Sequence, residues 1–473
     1  MKLKCKAIVC FFTLSVMVSA LLSVSASTNN RIALCPADIL HGDANDDGVI
    51  IICDVTALQS RIAGINAHAF YDVPEQWLQS ILDINKTGNV DVTDATAIQR
   101  YLVGIDSELY NDIGSVEFTA AQRLLQSTSD IPNSESFVFN SVQPEVDSYL
   151  STPDAKVTDY CNGSGLDRSA AYTIAVPANT SSVYILDTFD GNGWKDTVTS
   201  GIYRINNLIP NHIYRYLAVD PQNVLLKIGQ CSVSGSVRMI DAEGDTFNIR
   251  DLGGWSCDGG AIRYGMIYRG CELNGSHYNI SLNDQQRHIF LDKLGIQDEI
   301  DLRSKGEVSG ADGRYGTCDD TASFDANGAL DYTLFPVRPY EIGVNLEDPE
   351  QTNLYASVIK RIANDVNNNK PIYIHCLAGA DRTGTVCALI EAICGVSFSD
   401  IEHDYELTSF ASNHTRIRQN TSWRAFTDRI VSMNGNTFRD KAVSYALSAG
   451  VSIEEINALR CALIDGNPEI IVR

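Results

Sequence analysis

One ten-residue stretch, residues 375–384, constrains the fold of this chain more than any other. It reads HCLAGADRTG and lies between a short apolar run at 371–375 and apolar residues at helical spacing over 383–394. This pattern predicts a buried strand, a tight loop and a buried helix, in that order. Backbone N–H groups and the positive end of the helix dipole are available at such a helix start. The loop is therefore expected to bind an anion.

The side chains of this loop suit it to holding phosphate and attacking it. Small residues at Ala378, Gly379 and Ala380 let the backbone curl with its N–H groups pointing inward. The Arg382 guanidinium can grip two phosphate oxygens at once. The same positive field lowers the pKa of a thiol, so Cys376 is expected to be a nucleophile at neutral pH. Attack on phosphorus would give a cysteinyl-phosphate that water then hydrolyses.

The remaining loop positions have supporting roles in this interpretation. Leu377 adds its backbone to the substrate-binding curve, and Thr383 could hydrogen-bond the sulfur as it departs. The leaving oxygen needs a proton, and Asp381 is the nearest candidate donor. Asp301, at the end of a predicted strand over 298–303, could also face the site. The identity of the general acid stays open between these two carboxyl groups.

With these residues the loop resembles that of the bacterial tyrosine phosphatases, H-C-x-A-G-x-D-R-T-G. Four further segments are similar to that family's signatures and follow its order: Phe247–Gly254 (FNIRDLGG), Ile267–Gly270 (IYRG), Asp301–Ser304 with Glu307, and Asp404–Thr408 (DYELT). The resemblance covers most of 236–473 and implies an α/β phosphatase domain, a central sheet flanked by helices, that needs no metal for catalysis. It places Arg250 either in contact with the substrate or in an ion-pair network that braces the loop.

One position departs from the family pattern. Many members carry lysine where this chain has Ala380, and the missing charge puts activity on phosphoinositides in doubt. The resemblance favours phosphotyrosine as substrate and leaves dual specificity open. Two alternatives remain: an inositol-polyphosphate (phytate-type) phosphatase, and a non-catalytic docked binding protein.

A second pattern occurs twice near the start of the chain, at 42–50 and 82–90. Both copies have the spacing of a twelve-residue calcium loop, which supplies oxygen ligands from positions 1, 3, 5, 7 and 12 and carries glycine at position 6. The expected ligands are Asp43, Asn45, Asp47, the Val49 carbonyl and Asp54 in the first loop, and Asp83, Asn85, Thr87, the Asn89 carbonyl and Asp94 in the second.

An amphipathic helix is predicted after each loop, over 55–62 and 95–103. This paired arrangement, over 38–106, resembles a dockerin, the small all-α calcium-binding module that plugs an enzyme into a cohesin on a scaffold protein. The resemblance implies two calcium ions and a cohesin partner. Ile51 at position 9 offers no side-chain oxygen, and Thr87 is a weaker ligand than aspartate.

The first 26 residues predict export of the protein. They have a basic start, an apolar stretch over 7–24 and small residues before a cleavage point, which is the pattern of a secretory signal peptide. The expected location is extracellular, attached through the dockerin to a cell-surface or cellulosome-type complex engaged in polysaccharide breakdown. No other window predicts a membrane span.

Two further segments complete the predicted organisation. Residues 107–129 are polar and predict a linker. Residues 130–235 contain short β-branched and aromatic runs separated by Pro, Asn and Gly, which predicts an intervening all-β sandwich of fibronectin-like type. The net charge of −23 argues against nucleic acid as a partner, because like charges repel. The sequence thus predicts a multidomain, secreted, scaffold-docked hydrolase of phosphomonoesters.

Overall fold

The computed structural model describes most of the chain from residue 42 onward. The described residues are 42–44, 50–65, 82–85, 87–103, 136–161, 165–199, 201–221, 225–275, 277–278, 280–309, 330–342, 348–411 and 415–472. They divide into two compact units, within residues 1–120 and 121–473. The predicted signal peptide, over 1–26, and linker, over 107–129, lie outside the described residues. No helix in the described ranges is long and apolar enough to span a membrane.

The first unit contains two helices, α1 (Ile52–Ile62) and α2 (Val92–Leu102), which pack against each other. Their shared core includes Val55 and Leu58 from α1 and Ile98 from α2. The two predicted helices are therefore present, each starting three residues earlier than the pattern indicated.

The second unit begins with a β-rich region whose strands form two sheets. Its strands are β1 (Ser136–Asn140), β2 (Tyr172–Ala175), β3 (Ser182–Asp187), β4 (Gly193–Thr197), β5 (Ile202–Ile205), β6 (Ile213–Val219) and β7 (Leu225–Ser234). One sheet has the order β1-β7-β6-β3-β4 and the other pairs β2 with β5. Only the β1–β7 pair among them is parallel. Buried residues of both sheets, such as Ile174 and Ile185, belong to one apolar core.

A second five-stranded sheet lies at the centre of the α/β region. Its strands are β8 (Arg250–Asp251), β11 (Ile267–Gly270), β14 (Asp298–Asp301), β15 (Asp331–Leu334) and β16 (Ile372–His375), in the order β15-β14-β16-β11-β8. All pairs are parallel except β11 with β8. All four residues of β16 are buried, as expected for a middle strand covered on both faces.

Helices and short strands surround this sheet. The helices are α3 (Pro144–Ser151), α4 (Asp284–His288), α5 (Lys305–Ser309), α6 (Pro349–Asn367), α7 (Asp381–Cys394), α8 (Phe398–Leu407), α9 (Thr421–Val431), α10 (Phe438–Ser448) and α11 (Ile453–Leu463). A π turn at Ile289–Lys293 follows α4. The short strands are β9 (Ser256–Cys257), β10 (Gly260–Ile262), β12 (Asn274–Gly275), β13 (Ile280–Ser281) and β17 (Ile464–Gly466). The α/β phosphatase fold predicted from the sequence is confirmed.

The structure differs from the predicted domain boundaries in one respect. The predicted β-sandwich began at residue 130, yet α3 and the turn after it belong to the core of the α/β region. Val146, Tyr149 and Val157 are buried in the same cluster as Ile374. The sequence did not predict that these three residues pack into the core of the α/β region, because local periodicity gives no information on contacts between distant segments.

Candidate active site

The strand, loop and helix predicted around Cys376 are present. Strand β16 ends at His375, the loop follows, and α7 begins at Asp381. Gly379 has a φ of +65°, a conformation that favours glycine. A Cβ atom at this position would lie 2.2 Å from the Gly270 carbonyl oxygen, so only glycine fits. The loop therefore passes tightly against the end of β11.

Four successive carbonyl groups of the loop are held by partners outside it. The Cys376 oxygen lies 3.1 Å from His375 Nδ1, and the Leu377 oxygen accepts the Glu272 N–H at 3.0 Å. The next two oxygens accept from side chains, Ala378 from Asn248 Nδ2 and Gly379 from Arg269 Nη2, both at 2.9 Å.

This arrangement determines where the N–H groups of the loop point. In a trans peptide the carbonyl of one residue and the N–H of the next face opposite directions. The N–H groups of residues 377–380 therefore face away from the four partners, toward the hollow of the loop. Successive N–H groups on a concave surface form an anion-binding nest.

A buried ion-pair network holds Asn248 and Arg269, the two side chains that donate to loop carbonyls. Arg250 donates from Nε to Asp404 Oδ1 at 2.8 Å and from Nη1 to Asn248 Oδ1 at 2.6 Å. Arg269 donates from Nη1 to Asp404 Oδ2. One carboxylate thus anchors both guanidinium groups, and each arginine leads to one of the braced carbonyls.

The Cys376 thiol lies in a site that favours its ionised form. Burial acts to raise its pKa, but the Arg382 charge and the donors of Thr383 outweigh burial, so the pKa lies below its ordinary value. Thr383 is fully buried in the first turn of α7. A thiolate is the nucleophilic form of cysteine, and it is favoured at a helix N-terminus.

His375 precedes Cys376 at the end of β16 and is fully buried. Burial acts to lower the pKa of the imidazole, but Asp301 and Glu299 outweigh it and raise the pKa. Its Nε2 lies 2.9 Å from Glu299 Oε1. When both ring nitrogens carry a proton, the imidazole donates to Glu299 and to the Cys376 carbonyl.

Arg382 is held in place by a second carboxylate. Its Nη1 and Nη2 donate to the two oxygens of Glu307 at 2.5 and 2.8 Å. Glu307 belongs to α5, whose first turn it caps through the Ser304 backbone N–H at 2.7 Å. This bidentate pair orients the guanidinium plane for a further bidentate contact with an oxyanion.

Asp381 is an ionised carboxylate in this arrangement. Arg416 donates to its two oxygens from Nε and Nη2, at 2.6 and 2.7 Å, and the Tyr340 hydroxyl donates to Oδ1. Burial acts to raise the pKa of Asp381, but Arg416 and Tyr340 outweigh it and lower the pKa. The side chain is 33% exposed, so solvent reaches it.

Two residues predicted to contact the substrate, Asp301 and Arg250, are buried and paired with other side chains. Asp301 is fully buried and accepts from Arg303 Nε and Nη2 at 2.9 and 2.7 Å. Arg250 is 1% exposed and engaged with Asn248 and Asp404. The polar atoms of both side chains are thus already engaged in buried contacts within the protein. Of the two roles open for Arg250, the structure favours bracing.

The calcium loops are partly described. In the second loop Asp83 accepts the N–H groups of Thr87 and Gly88 at 2.9 and 2.7 Å, and Asn85 Oδ1 accepts Thr87 N–H at 3.2 Å. Thr87 Oγ1 lies 3.3 Å from the Asn89 carbonyl. These contacts hold the oxygen-bearing residues of the loop near one another, and oxygen ligands of these types are the ones that calcium prefers.

The ligand at position 12 is similar in both loops. Asp94 accepts the N–H groups of Asn85 and Asp91 at 3.1 and 2.8 Å. Asp54 accepts those of Ala44 and Ile51 at 2.9 and 2.7 Å. The position-12 carboxylate of each loop is thus fixed in the first turn of the helix that follows. Asn45, Asp47 and Val49 lie outside the described residues.

No group of three or more His, Cys, Asp or Glu side chains is placed as a metal site in the described ranges. The residues predicted as calcium ligands in the second loop fit the ion instead through carboxylate, amide, hydroxyl and main-chain oxygens.

Comparisons with known proteins find relatives that are named as phosphatases. Residues 242–462 match the family model described as the tyrosine phosphatase family. This part of the chain is similar to that family. One relative, from Cupriavidus necator, carries a name that provisionally assigns it to the tyrosine-protein phosphatases; it is 28% identical over 170 residues, which cover 33% of this chain and 59% of the relative.

A second relative is the triple specificity protein phosphatase PtpB of Mycobacterium tuberculosis. It is 28% identical over 190 residues, covering 34% of this chain and 65% of PtpB. The chain thus spans about three fifths of the lengths of these curated relatives. Among solved structures, P. aeruginosa TpbA in complex with phosphotyrosine has a TM-score of 0.27 and 12% identity, covering 45% of this chain and 96% of TpbA.

Several residues of the site were not assigned roles from the sequence. Asn248, Arg269 and Asp404 fall inside recognised segments, and their polar type within buried strands and helices is the signal that could have singled them out. Arg416 falls outside those segments. It meets the site through a long-range contact with Asp381, for which the sequence carries no local signal.

Proposed function

We propose that this protein hydrolyses phosphomonoesters through a cysteinyl-phosphate intermediate. The observation that carries the proposal is the set of four outward-turned loop carbonyls, which directs four N–H groups toward the hollow beside Cys376. The phosphoryl group would bind there with Arg382. Such preorganised donors stabilise the charge that develops on phosphoryl oxygens in the transition state.

The first chemical step is attack of the Cys376 thiolate on phosphorus. The sulfur–phosphorus bond forms as the bond from phosphorus to the leaving oxygen breaks, and that oxygen takes a proton. In the second step water attacks phosphorus and the thiolate departs, with Thr383 available to hydrogen-bond the sulfur. Arg382 holds the transferred group through both steps.

Asp381 is our candidate for proton transfer in both steps. It is a carboxylate in the free protein, so it must gain a proton before it can donate one. A bound phosphate dianion beside it would raise its pKa, because like charges disfavour the ionised form. Asp301 is the weaker candidate, since it is fully buried and bound to Arg303.

Phosphotyrosine is the proposed substrate class, with dual specificity a possible extension. The family match and the similarity to a triple specificity phosphatase of Mycobacterium tuberculosis support this hypothesis. The absence of lysine at Ala380 leaves the loop with Arg382 as its single cationic side chain. This suits a substrate with one phosphate group at the site.

The cellular setting is a separate part of the proposal. The N-terminal unit would be a dockerin that binds two calcium ions and docks on a cohesin, and the two β-sheets after it would form a fibronectin-like spacer. The repeated loops, their position-12 carboxylates and the packed helix pair support the dockerin. The apolar start of the sequence supports secretion.

Release of phosphate tests the catalytic proposal. The full chain would be assayed under reducing conditions on p-nitrophenyl phosphate, phosphotyrosine peptides and phytate, beside Cys376→Ser and the matched control Cys461→Ser, which alters an exposed cysteine. We expect turnover on the peptides that vanishes in Cys376→Ser and persists in Cys461→Ser. A preference for phytate would shift the substrate class, and no turnover on any substrate would contradict the proposal.

A further inference from the structure

A connection outside the matched family domain reaches the phosphate loop. Residues 165–169 precede β2, whereas the family match begins at 242. Both flanks of this connection are tied to the family domain. The Leu166 N–H donates to the Phe410 carbonyl at 3.0 Å, and Arg168 Nη2 donates to the carbonyls of Gly244 and Thr246 at 2.7 and 3.0 Å.

Asp167 lies between these two anchors and contacts the bracing residue directly. Its side chain is buried, and its carboxylate accepts the backbone N–H of Asn248. Asn248 has a φ of +56°, in the left-handed region. Asparagine tolerates this conformation better than most residues, at a cost that surrounding contacts must offset.

The contact leads from Asp167 to the loop in two steps. Asp167 holds the backbone of Asn248 through its N–H. The Asn248 amide then donates to the Ala378 carbonyl at 2.9 Å, while its oxygen accepts from Arg250 at 2.6 Å. The orientation of one loop peptide, and hence of the Gly379 N–H, depends on this chain of contacts.

We propose that Asp167 is a positioning residue for the phosphate loop, acting through Asn248. The inference rests on the proposed function, because its importance lies in the binding of a phosphoryl group. Asp167 has to supply an acceptor oxygen at a fixed place, and a negative charge is not required. Burial raises the pKa of this carboxyl, which agrees with a role as an acceptor.

Two substitutions in the full chain separate the acceptor from the charge. Asp167→Asn keeps an oxygen that can accept the Asn248 N–H, whereas Asp167→Leu removes it. We expect kcat/KM for a phosphotyrosine peptide to fall about 10- to 100-fold in Asp167→Leu, since small displacements of a positioned group are costly. Asp167→Asn should stay within about threefold of the wild type on the same reasoning. Asp159→Leu, at an exposed position in the turn that precedes this connection, is the matched control.

Oxyanion affinity gives a readout that does not depend on turnover. Tungstate binding would be measured by calorimetry on Cys376→Ser alone and combined with each Asp167 variant, beside the melting temperature. Weaker binding in Asp167→Leu with recovery in Asp167→Asn supports the inference, even if the wild type releases no phosphate. Equal loss in both Asp167 variants, or no loss in either, would overturn it.

A second variant covers the case in which Asp167→Leu does not fold. Asn248→Ala keeps the backbone N–H that Asp167 binds and removes the contact with Ala378. It should reproduce the loss of oxyanion affinity. Unchanged affinity in Asn248→Ala would refute the proposed route from Asp167 to the loop.

Discussion

At the scale of single residues, the site depends on a charge balance around one thiol. Arg382 and Thr383 outweigh the effect of burial on the pKa of Cys376, and Glu307 holds Arg382 in place through two hydrogen bonds. The nearby carboxylate of Asp381 acts in the opposite direction on the thiol, but Arg416 is paired with it. The net result is a pKa of Cys376 below its ordinary value.

This balance predicts the pH dependence of Cys376 alkylation. The thiolate forms above the lowered pKa, so the rate with iodoacetamide should fall only as the pH drops through a midpoint below the ordinary value of about 8.5. In Arg382→Gln the midpoint should move to higher pH, because a cation that lowers the pKa is lost. Mass spectrometry of the Cys376 peptide reports the rate, with Cys376→Ser as the blank. A wild-type midpoint at the ordinary value would contradict the prediction.

Gly379 provides a second prediction at this scale. Gly379→Ala combines a positive φ with a Cβ placed 2.2 Å from a backbone oxygen, so the loop must move. We expect phosphate release to fall at least about 100-fold, as for other displaced catalytic groups. Gly450→Ala is the matched control, since its φ is +95° but no atom lies within 4 Å of the added carbon.

The control isolates backbone strain from the clash. Gly450→Ala should lose roughly 1–2 kcal/mol of unfolding free energy and keep full turnover. Full turnover in Gly379→Ala would show that the loop tolerates a displaced peptide and would refute the tight approach to β11.

At the scale of elements, the loop is positioned by parts that are distant in sequence. Strand β8 carries Arg250, β11 carries Arg269, and α8 carries Asp404, which binds both arginines. Removing one partner from such a buried network leaves charges without compensation. The three elements therefore form one unit with the loop.

Asp404→Ala tests this coupling. It leaves two buried guanidinium groups without their carboxylate, so we expect a loss of about 3–5 kcal/mol of unfolding free energy. Chemical denaturation measures the loss, with Asp428→Ala, an exposed position on α9, as the control. An effect of Asp404→Ala no larger than that of the control would show that the network contributes little to stability.

The sequence predicted the elements of this site better than the contacts between them. The strand and helix around Cys376 follow from local apolar spacing, which is why 371–375 and 383–394 agree closely with β16 and α7. The sequence did not predict the contacts of Tyr149 with Glu406 or of Asp167 with Asn248. Tyr149 donates to Glu406 Oε2 at 2.6 Å across 257 positions, and such a contact leaves no local pattern.

At the scale of the whole molecule, two compact units are expected to perform different chemistry. In the proposed function the phosphate loop would hold an anion with N–H groups and a guanidinium, whereas the repeated loops would hold a cation with oxygens. The two requirements are opposite in charge, and nothing in the proposed reaction passes through the calcium loops. Metal removal should therefore separate the two functions in one experiment.

Calcium titration of the full chain, after removal of metal with a chelator, makes this separation measurable. We expect calorimetry to show two sites in the wild type and one in Asp83→Ala, because Asp83 supplies the position-1 oxygens of the second loop. Asp91→Asn removes one charge at a residue outside the expected ligand set and keeps a side chain suited to capping α2, so it should retain both sites. Phosphate release should be the same with and without calcium. Absence of calcium binding in the wild type would remove the basis for the dockerin, and calcium-dependent turnover would show that the two units are coupled.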